Sequence, residues 1–382
     1  MSSTTTPARR PLRPSGKLRP EDARRHHRSL LLQLLFRYGP ASRADLARSS
    51  GLTKVTVSDL VAELVGEGLV IEAEETVPGR IGKPPLLVSM APASRSIVAV
   101  DLSTDGLVSG ALVDLAGTVL TRRELPLDSR RGQDAVEVVH RLVRTLVDES
   151  TLPILGIGVG SPGVVDAGGT VLDAPNLGWR DTPLAADLRA AFDVPVFVAN
   201  DANTAVLGEH TFGDTGDGGV MLLRIGTGVG AGLVLEGVLL HGHRSAAGEI
   251  GHVVVDPEGQ ACACGRRGCL ETVLSVPALR RRLAQGDPVD AAAVLADVGE
   301  RLGALLAPVV GTLNLHELVL SGPAELLDGP LLEATDRTIR ERTMPVSGDE
   351  LVIRTSDLGE DGGDVVLVGA AVLVLAGQLG VS

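Results

Sequence analysis

Ala247-Gly-Glu-Ile-Gly-His252 and then Cys262-Ala-Cys-Gly-Arg-Arg-Gly-Cys-Leu-Glu271 are the stretches that decide how this sequence is read. His252, Cys262, Cys264 and Cys269 offer one imidazole and three thiolates, a complete tetrahedral set for structural Zn2+. A catalytic zinc needs an open coordination position, and this set leaves none. Gly265 and Gly268 let the loop fold tightly around a metal. The chain has 3 cysteines, all in this cluster, and an odd, tight group favours metal over disulfides. Free thiols in a loop are the plain alternative.

On both sides of this stretch, apolar strand patterns alternate with helices and glycine turns, the texture of an α/β body with mixed sheets. Strands are predicted at 97–101, 108–114, 154–159, 194–198, 220–225, 229–235 and 318–320. Helices are predicted at 134–149, 183–192, 276–284, 289–308 and 331–342. No short-period repeat is present, although two lobes sharing one topology remain compatible with the pattern.

The N-terminal part reads differently. Residues 1–22 are rich in Pro, Arg, Ser and Thr and read as a disordered basic tail. A helical pattern over 24–38 stops at Gly39-Pro40. Ser42-Arg-Ala-Asp45 carries a Ser-x-x-Asp capping signal for a second helix, which Gly51 breaks. Thr53 is placed to cap a third helix, with Val57, Leu60, Val61 and Leu64 on its inner face. Two strands follow, 69–73 and 86–90, around a Gly/Pro-rich tip that holds Arg80 and Lys83.

Helix, turn, helix, strand, basic tip, strand is the order of a winged helix-turn-helix that binds double-stranded DNA. Thr53, Lys54, Thr56 and Ser58 lie near the start of the third helix, where short polar or basic side chains reach base edges. Arg43 and Arg48 are expected to touch phosphates, and the tip residues Arg80 and Lys83 a neighbouring groove or phosphates. A small helical adaptor for a protein partner is the alternative.

The quoted zinc stretch resembles the signature of the ROK family, named for repressors, open reading frames and kinases. The resemblance covers the chain beyond its tail, and the winged-helix repressor branch has the domain order seen here. It implies an N-terminal winged helix-turn-helix (23–91) followed by a two-lobed actin-like ATPase, ribonuclease H-like, sugar-kinase fold. Lobe 1 would be 95–200 plus 366–382, and lobe 2, with the zinc site, 201–365.

In the resembling kinases an Asp takes the proton from the attacking sugar hydroxyl. Asp201 matches that general-base position, and Asn200 a sugar-binding neighbour. Glu249, His252 and Glu271 match further hydroxyl ligands, with one nitrogen of His252 free for zinc and the other for sugar. Gly160-Ser-Pro-Gly163 resembles the loop that closes over the sugar, and Asn176 and Trp179 fall in a pocket-lining region. Trp179 as plain core is the alternative.

Family kinases carry two glycine-rich phosphate loops. Gly226-Thr227-Gly228 opens a match to the second, though a tight hairpin explains it equally well. The first departs from the Asp-x-Gly-Gly-Thr pattern: this chain has Asp101-Leu102-Ser103-Thr104-Asp105. Side chains replace both glycines, and Asp105 repels phosphate, so ATP binding is not expected. The expectation is a sugar-responsive DNA-binding regulator and repressor, with a small sugar or sugar phosphate as effector. A ROK sugar kinase that carries a DNA-binding domain is the alternative.

Bulk composition sets the frame. The chain has 382 residues, 44% hydrophobic but 2% aromatic, so its cores must be built from Leu, Val, Ile and Ala. Residues 1–85 hold 14 basic and 9 acidic residues, whereas the remainder holds 21 basic and 39 acidic. A basic head on an acidic body suits a polyanion partner at the head alone. No apolar run spans a bilayer and the start lacks a signal-peptide core, so a cytoplasmic protein is expected, without membrane partners. Paired DNA half-sites imply a homodimer or homotetramer.

Overall fold

The structure, a computed structural model, describes residues 20–74, 86–216, 218–285, 290–358 and 363–381. The basic tail through residue 19 and the wing tip with Arg80 and Lys83 lie outside the described residues. The chain divides into two compact units, 1–90 and 91–382.

In the first unit, α1 (Pro20–Tyr38), β1 (Ala41–Ser42), α2 (Arg43–Ser50) and α3 (Lys54–Gly66) precede a hairpin of β2 (Val70–Glu74) and β3 (Leu86–Met90). The caps fall where the sequence places them. Ser42 and Thr53 accept the backbone N–H groups of Asp45 and Thr56, and Gly51 ends α2 in the left-handed conformation. Leu31, Leu32, Leu35, Leu46, Val57, Leu60, Val61, Leu64 and Val88 are buried together with almost no exposure. The three strands pair antiparallel in the order β1-β3-β2, which completes a winged helix-turn-helix.

The second unit opens with a 3-10 turn at Pro92–Ser94. Then come β4 (Ser96–Asp101), β5 (Leu107–Val113), β6 (Val119–Pro126), α4 (Gln133–Glu149) and β7 (Ile154–Ser161). Three short strands, β8 (Val164–Val165), β9 (Val171–Ala174) and β10 (Trp179–Thr182), form a small sheet of their own. α5 (Leu184–Phe192), β11 (Val196–Asn200) and α6 (Asp201–Phe212) follow. The other half contains β12 (Val220–Ile225), β13 (Val229–Leu235), β14 (Val238–Leu239), α7 (Glu271–Leu274), α8 (Val276–Gln285) and α9 (Ala291–Leu313). It closes with β15 (Glu317–Ser321), α10 (Ala324–Leu327), α11 (Pro330–Arg342), α12 (Pro345–Gly348), β16 (Val352–Thr355) and α13 (Val365–Leu379).

Two five-stranded sheets carry this unit, in the orders β11-β7-β4-β5-β6 and β14-β13-β12-β15-β16. Each is an antiparallel meander of three strands extended by two parallel strands on the side of its first strand. The two topologies are therefore the same. Antiparallel neighbours need only a turn, whereas the parallel additions need crossovers, and here α4, α5, α9 and α11 lie within those crossovers.

The helices α6 and α13 were not evident in the sequence pattern, and they pack against one another. Eleven residues of α13, from Val365 to Leu379, are buried, so it shows no amphipathic stripe. Gly208 and Gly369 meet at the crossing: a Cβ on Gly369 would collide with the Thr204 carbonyl, and one on Gly208 would lie 2.9 Å from the Gly369 nitrogen. Gly158 and Gly160 give β7 the same closeness to α13, against the Ala370 carbonyl and Val366. Val365 and Val366 join Ala205, Val206, Val220, Leu222, Val234 and Val319 in one apolar cluster. No described helix is long and apolar enough to cross a membrane.

Candidate functional site

The metal set assembles from a 3-10 turn and a glycine-rich loop. Glu249–His252 forms the turn. It enters through Gly248, whose φ of +91° and contact with the Ala231 carbonyl admit no side chain. The loop closes on itself where the Cys262 N–H donates to the Arg266 carbonyl and the Gly268 N–H to the Gln260 carbonyl. Gly268, at φ +65°, sits where a Cβ would collide with the Asp256 carbonyl.

The ligand atoms of His252, Cys262, Cys264 and Cys269 all lie within 4.8 Å of one another. His252 Nδ1 is 3.6 Å from Cys262 Sγ, and Cys264 Sγ is 3.6 Å from Cys269 Sγ. Zinc bond lengths set tetrahedral edges of about 3.6 Å for N–S and about 3.8 Å for S–S. These two pairs stand at the separations a tetrahedral zinc requires, and the cysteines are unpaired as disulfides. In the metal-free form burial, aided by the neighbouring sulfurs, pushes the Cys269 thiol up to about 12. Burial raises Cys262 as well. Metal binding at this cluster therefore has to release protons.

The metal set and the hydroxyl-ligand candidates form one group. With Nδ1 turned to Cys262, His252 directs Nε2 toward Glu249 Oε2, 4.0 Å away. Glu271 stands on the other side: its Oε1 is 3.8 Å from Cys262 Sγ, and its Oε2 accepts the Val229 N–H at 3.1 Å. Gly228 presses on the same oxygen, since a Cβ there would lie 2.8 Å from it. Burial raises the Glu249 carboxyl above the usual range, with Glu271 adding to the rise and His252 opposing it.

Asn200 and Asp201 lie at the junction of β11 and α6. Asn200 caps the helix: its Oδ1 accepts the Ala202 and Asn203 N–H groups at 3.0 and 3.1 Å. Its Nδ2 donates to the Gly163 carbonyl at 2.9 Å and to Asp201 Oδ1 at 3.0 Å. Two acceptor and two donor positions are thus all engaged within the protein. Asn200 thereby positions Asp201 and the Gly160–Gly163 loop. Burial raises Asp201 to about 6, Arg224 opposes the rise, and Asp101 adds to it. Asp101, at the end of β4, therefore shares a neighbourhood with Asp201.

Further candidates lie as follows. Trp179 is core, 2% exposed, and its indole N–H donates to the Gly132 carbonyl at 2.9 Å. Asn176 is exposed in the turn between β9 and β10 and has no hydrogen bond to the cluster among the described residues. Arg43 forms a two-point ion pair with Glu72, at 2.7 and 2.9 Å, and also donates to the Ser58 carbonyl at 3.2 Å. Its guanidinium ties α2 to β2 and to α3. Arg48 pairs with Asp45 at 3.0 Å but is 77% exposed.

Gly160 is buried beneath α13. Gly226-Thr227-Gly228 is the turn of the β12–β13 hairpin, with the Gly226 N–H donating to the Gly228 carbonyl at 2.9 Å. Asp101 is held by its own loop: Oδ1 accepts the Ser103 N–H at 2.8 Å and the Ser103 hydroxyl at 2.6 Å, and Oδ2 accepts Thr104 Oγ1 at 3.3 Å. The two residues that stand in place of glycines thus occupy the carboxylate.

On α3, Thr53 and Lys54 are exposed and Thr56 and Ser58 partly so. Val55, missed in the sequence, is 71% exposed between them. A valine at an otherwise polar helix start was the available signal. Arg224 was missed as well, although a charge on an otherwise apolar strand marked it. A surface groove of about 440 Å3, lined by Ala307, Pro308, Arg342 and Met344 among others, shares no residue with the site.

A winged helix on an actin-like, sugar-kinase-type body with a His/Cys3 metal set is the class these features define. The chain belongs to the ROK family, whose model matches residues 97–376. It is 30% identical over 355 residues to the xylose repressor of Bacillus spizizenii, covering 88% of this chain and 92% of the relative. Among solved structures, a ROK family transcriptional regulator, a homolog of the Escherichia coli MLC protein, matches with a TM-score of 0.81. The two are 27% identical, over 94% of this chain and 97% of that one. A ROK glucokinase from Streptomyces griseus, solved with glucose and AMPPNP, matches with a TM-score of 0.63. It is 27% identical, over 73% of this chain and 98% of that one.

Proposed function

We propose that this protein is a sugar-responsive, DNA-binding transcriptional repressor of the cytoplasm. Its body binds a sugar and controls operator binding by its winged helix. The observation that carries the reading is the contrast between two parts of the body. Asp201, Glu249, His252 and Glu271 stand ready as hydroxyl partners, whereas Asp101 is tied up by Ser103 and Thr104. Kinship with a xylose repressor along 88% of the chain supports it.

His252, Cys262, Cys264 and Cys269 would hold zinc. The ion would supply no reaction step; it would fix the His252 ring so that Nε2 and Glu249 face the sugar together. Asp201, set by Asn200, would accept or donate a hydrogen bond to a second hydroxyl. Thr53, Lys54, Val55, Thr56 and Ser58 would meet DNA in the major groove, where a valine suits a thymine methyl. Phosphoryl transfer would not be part of this function: Ser103 and Thr104, in place of two glycines, engage the Asp101 carboxylate. A sugar that binds one state of the body better shifts the population toward that state. Reading paired half-sites requires two heads, hence at least a dimer.

Binding of the zinc-loaded protein to DNA from its own upstream region, titrated with free and phosphorylated sugars, tests this. Specific binding that one sugar changes is the expected result, and Glu249→Ala should abolish the response while leaving DNA affinity intact. Turnover of Mg-ATP with a hexose, with no sugar effect on DNA binding, would reverse the reading in favour of a kinase.

A further inference from the structure

The solvent face of α3 carries an acid that has no partner among the described residues. At about 3.6 residues per turn, Val57, Leu60, Val61 and Leu64 fall on one side of the helix and are buried. Val55, Asp59 and Ala62 fall on the opposite side and are exposed. The other acids of this helix and its cap are tied to α1. Glu63 pairs with Arg24 and Arg28, and Glu67 accepts from Arg28 at 2.8 Å. Asp59 alone is left with neither an ion pair nor a hydrogen bond among the described residues.

Its neighbours leave it at the centre of the face. Thr53 and Thr56 are turned on each other: the Thr53 hydroxyl accepts the Thr56 N–H at 3.1 Å and lies 2.9 Å from the Thr56 hydroxyl. Gly66 continues the stripe of Ala62, and no heavy atom stands within 4 Å of where its Cβ would be. Small residues there let the helix lie close to a groove floor.

A carboxylate on a face that meets DNA is repelled by phosphates unless it finds a donor. In the major groove guanine shows only the acceptors N7 and O6, and thymine the acceptor O4 beside its methyl group. Adenine sets its N7 acceptor beside its amine, whereas cytosine offers the N4 amine alone. An ionised carboxylate only accepts, so it fits cytosine. Val55 is the apolar counterpart, suited to a thymine methyl. Four residues advance a helix by about 6 Å, less than two base-pair steps of about 3.4 Å.

We propose that Asp59 and Val55 set the operator sequence. Asp59 accepts a hydrogen bond from the N4 amine of a cytosine, and Val55 packs on the methyl group of a thymine within about two base pairs of it. This rests on the repressor reading above and adds to it the bases that are read. Asp59 also weakens binding to every site that lacks the cytosine, so selectivity arises from repulsion as well as attraction.

Selection of duplexes from a randomised library by the zinc-loaded full chain, followed by titration of the selected duplex, is the test. The natural protein should select half-sites with a fixed C·G pair and a fixed T·A pair at that spacing. Asp59→Asn should move the first preference from cytosine to adenine, whose N6 and N7 match an amide. Asp59→Ala should abolish it, costing about fivefold or more on the selected duplex while affinity for random duplex rises. Both variants should keep the preferences at the remaining positions, as a folded head requires. Deoxyuridine in place of the thymine removes only a methyl group; it should cost the natural protein about threefold and Val55→Ala nothing. A selected sequence that neither Asp59 variant changes overturns the cytosine assignment, and equal binding of thymine and deoxyuridine duplexes overturns the thymine one. Sequence-specific binding in either case leaves the repressor reading standing, whereas a natural chain that selects no sequence overturns both.

Discussion

Asp201→Asn should stabilise the body at alkaline pH and much less at acid pH. The folded-state carboxyl is raised from 3.8 to about 6, mainly by burial. A raised acid binds its proton more tightly when folded, so ionising it opposes folding. The cost is nil below the unfolded value, grows as pH rises through the window between the two, and is complete above about 6. A shift of this size amounts to about 3 kcal/mol at full development, of which roughly half is already present at pH 5. The asparagine keeps an oxygen for the Asn200 donor but carries no charge, so it escapes the cost. Its stability advantage should therefore grow by about 1.4 kcal/mol between pH 5 and pH 8, a few degrees in Tm. The chain has 1 tryptophan, Trp179, buried in the body. Its intrinsic fluorescence follows the melting of that unit while the winged helix contributes no tryptophan signal. An advantage of the same size at both pH values would refute the assignment of burial as the cause.

Other outcomes follow from the site. Purified protein should carry about one zinc per chain by metal analysis, and Cys269→Ser should lose it with a lower Trp179 melting midpoint; a metal-free, folded natural protein would remove the zinc assignment. Lys54→Ala should reduce the slope of log affinity against log salt by about 1, as expected for one lost phosphate contact. Arg43→Ala should leave that slope unchanged while costing about 1 kcal/mol of winged-helix stability, since its partner is Glu72. A smaller slope in Arg43→Ala would return that residue to the DNA.

The sequence disclosed much of this because local chemistry marked it. Ser42, Thr53 and Gly51 bound helices by hydrogen bonds and conformations that span a few residues. The cysteine cluster is close in sequence as well as in space. What stayed hidden depended on distant partners. α13 is buried on every side, so its residues carry no stripe by which to recognise a helix. Arg43 looked like a phosphate ligand until Glu72, across the fold, was seen to hold it. The four bonds of Asn200 reach the helix start, Asp201 and, far away in the chain, Gly163.

The bare crossing of α6 and α13 has a consequence for genetics. Gly208 and Gly369 touch backbone to backbone, and α6 begins with Asp201. A methyl group at either glycine must push the helices apart, and α6 then carries Asp201 away from the strand ends. A selection for regulators deaf to their inducer should therefore return alanine substitutions at these two glycines alongside changes at Glu249 and Asp201. Such alleles would touch no ligand and alter no charge, and they would map to the chemically blandest residues of the chain.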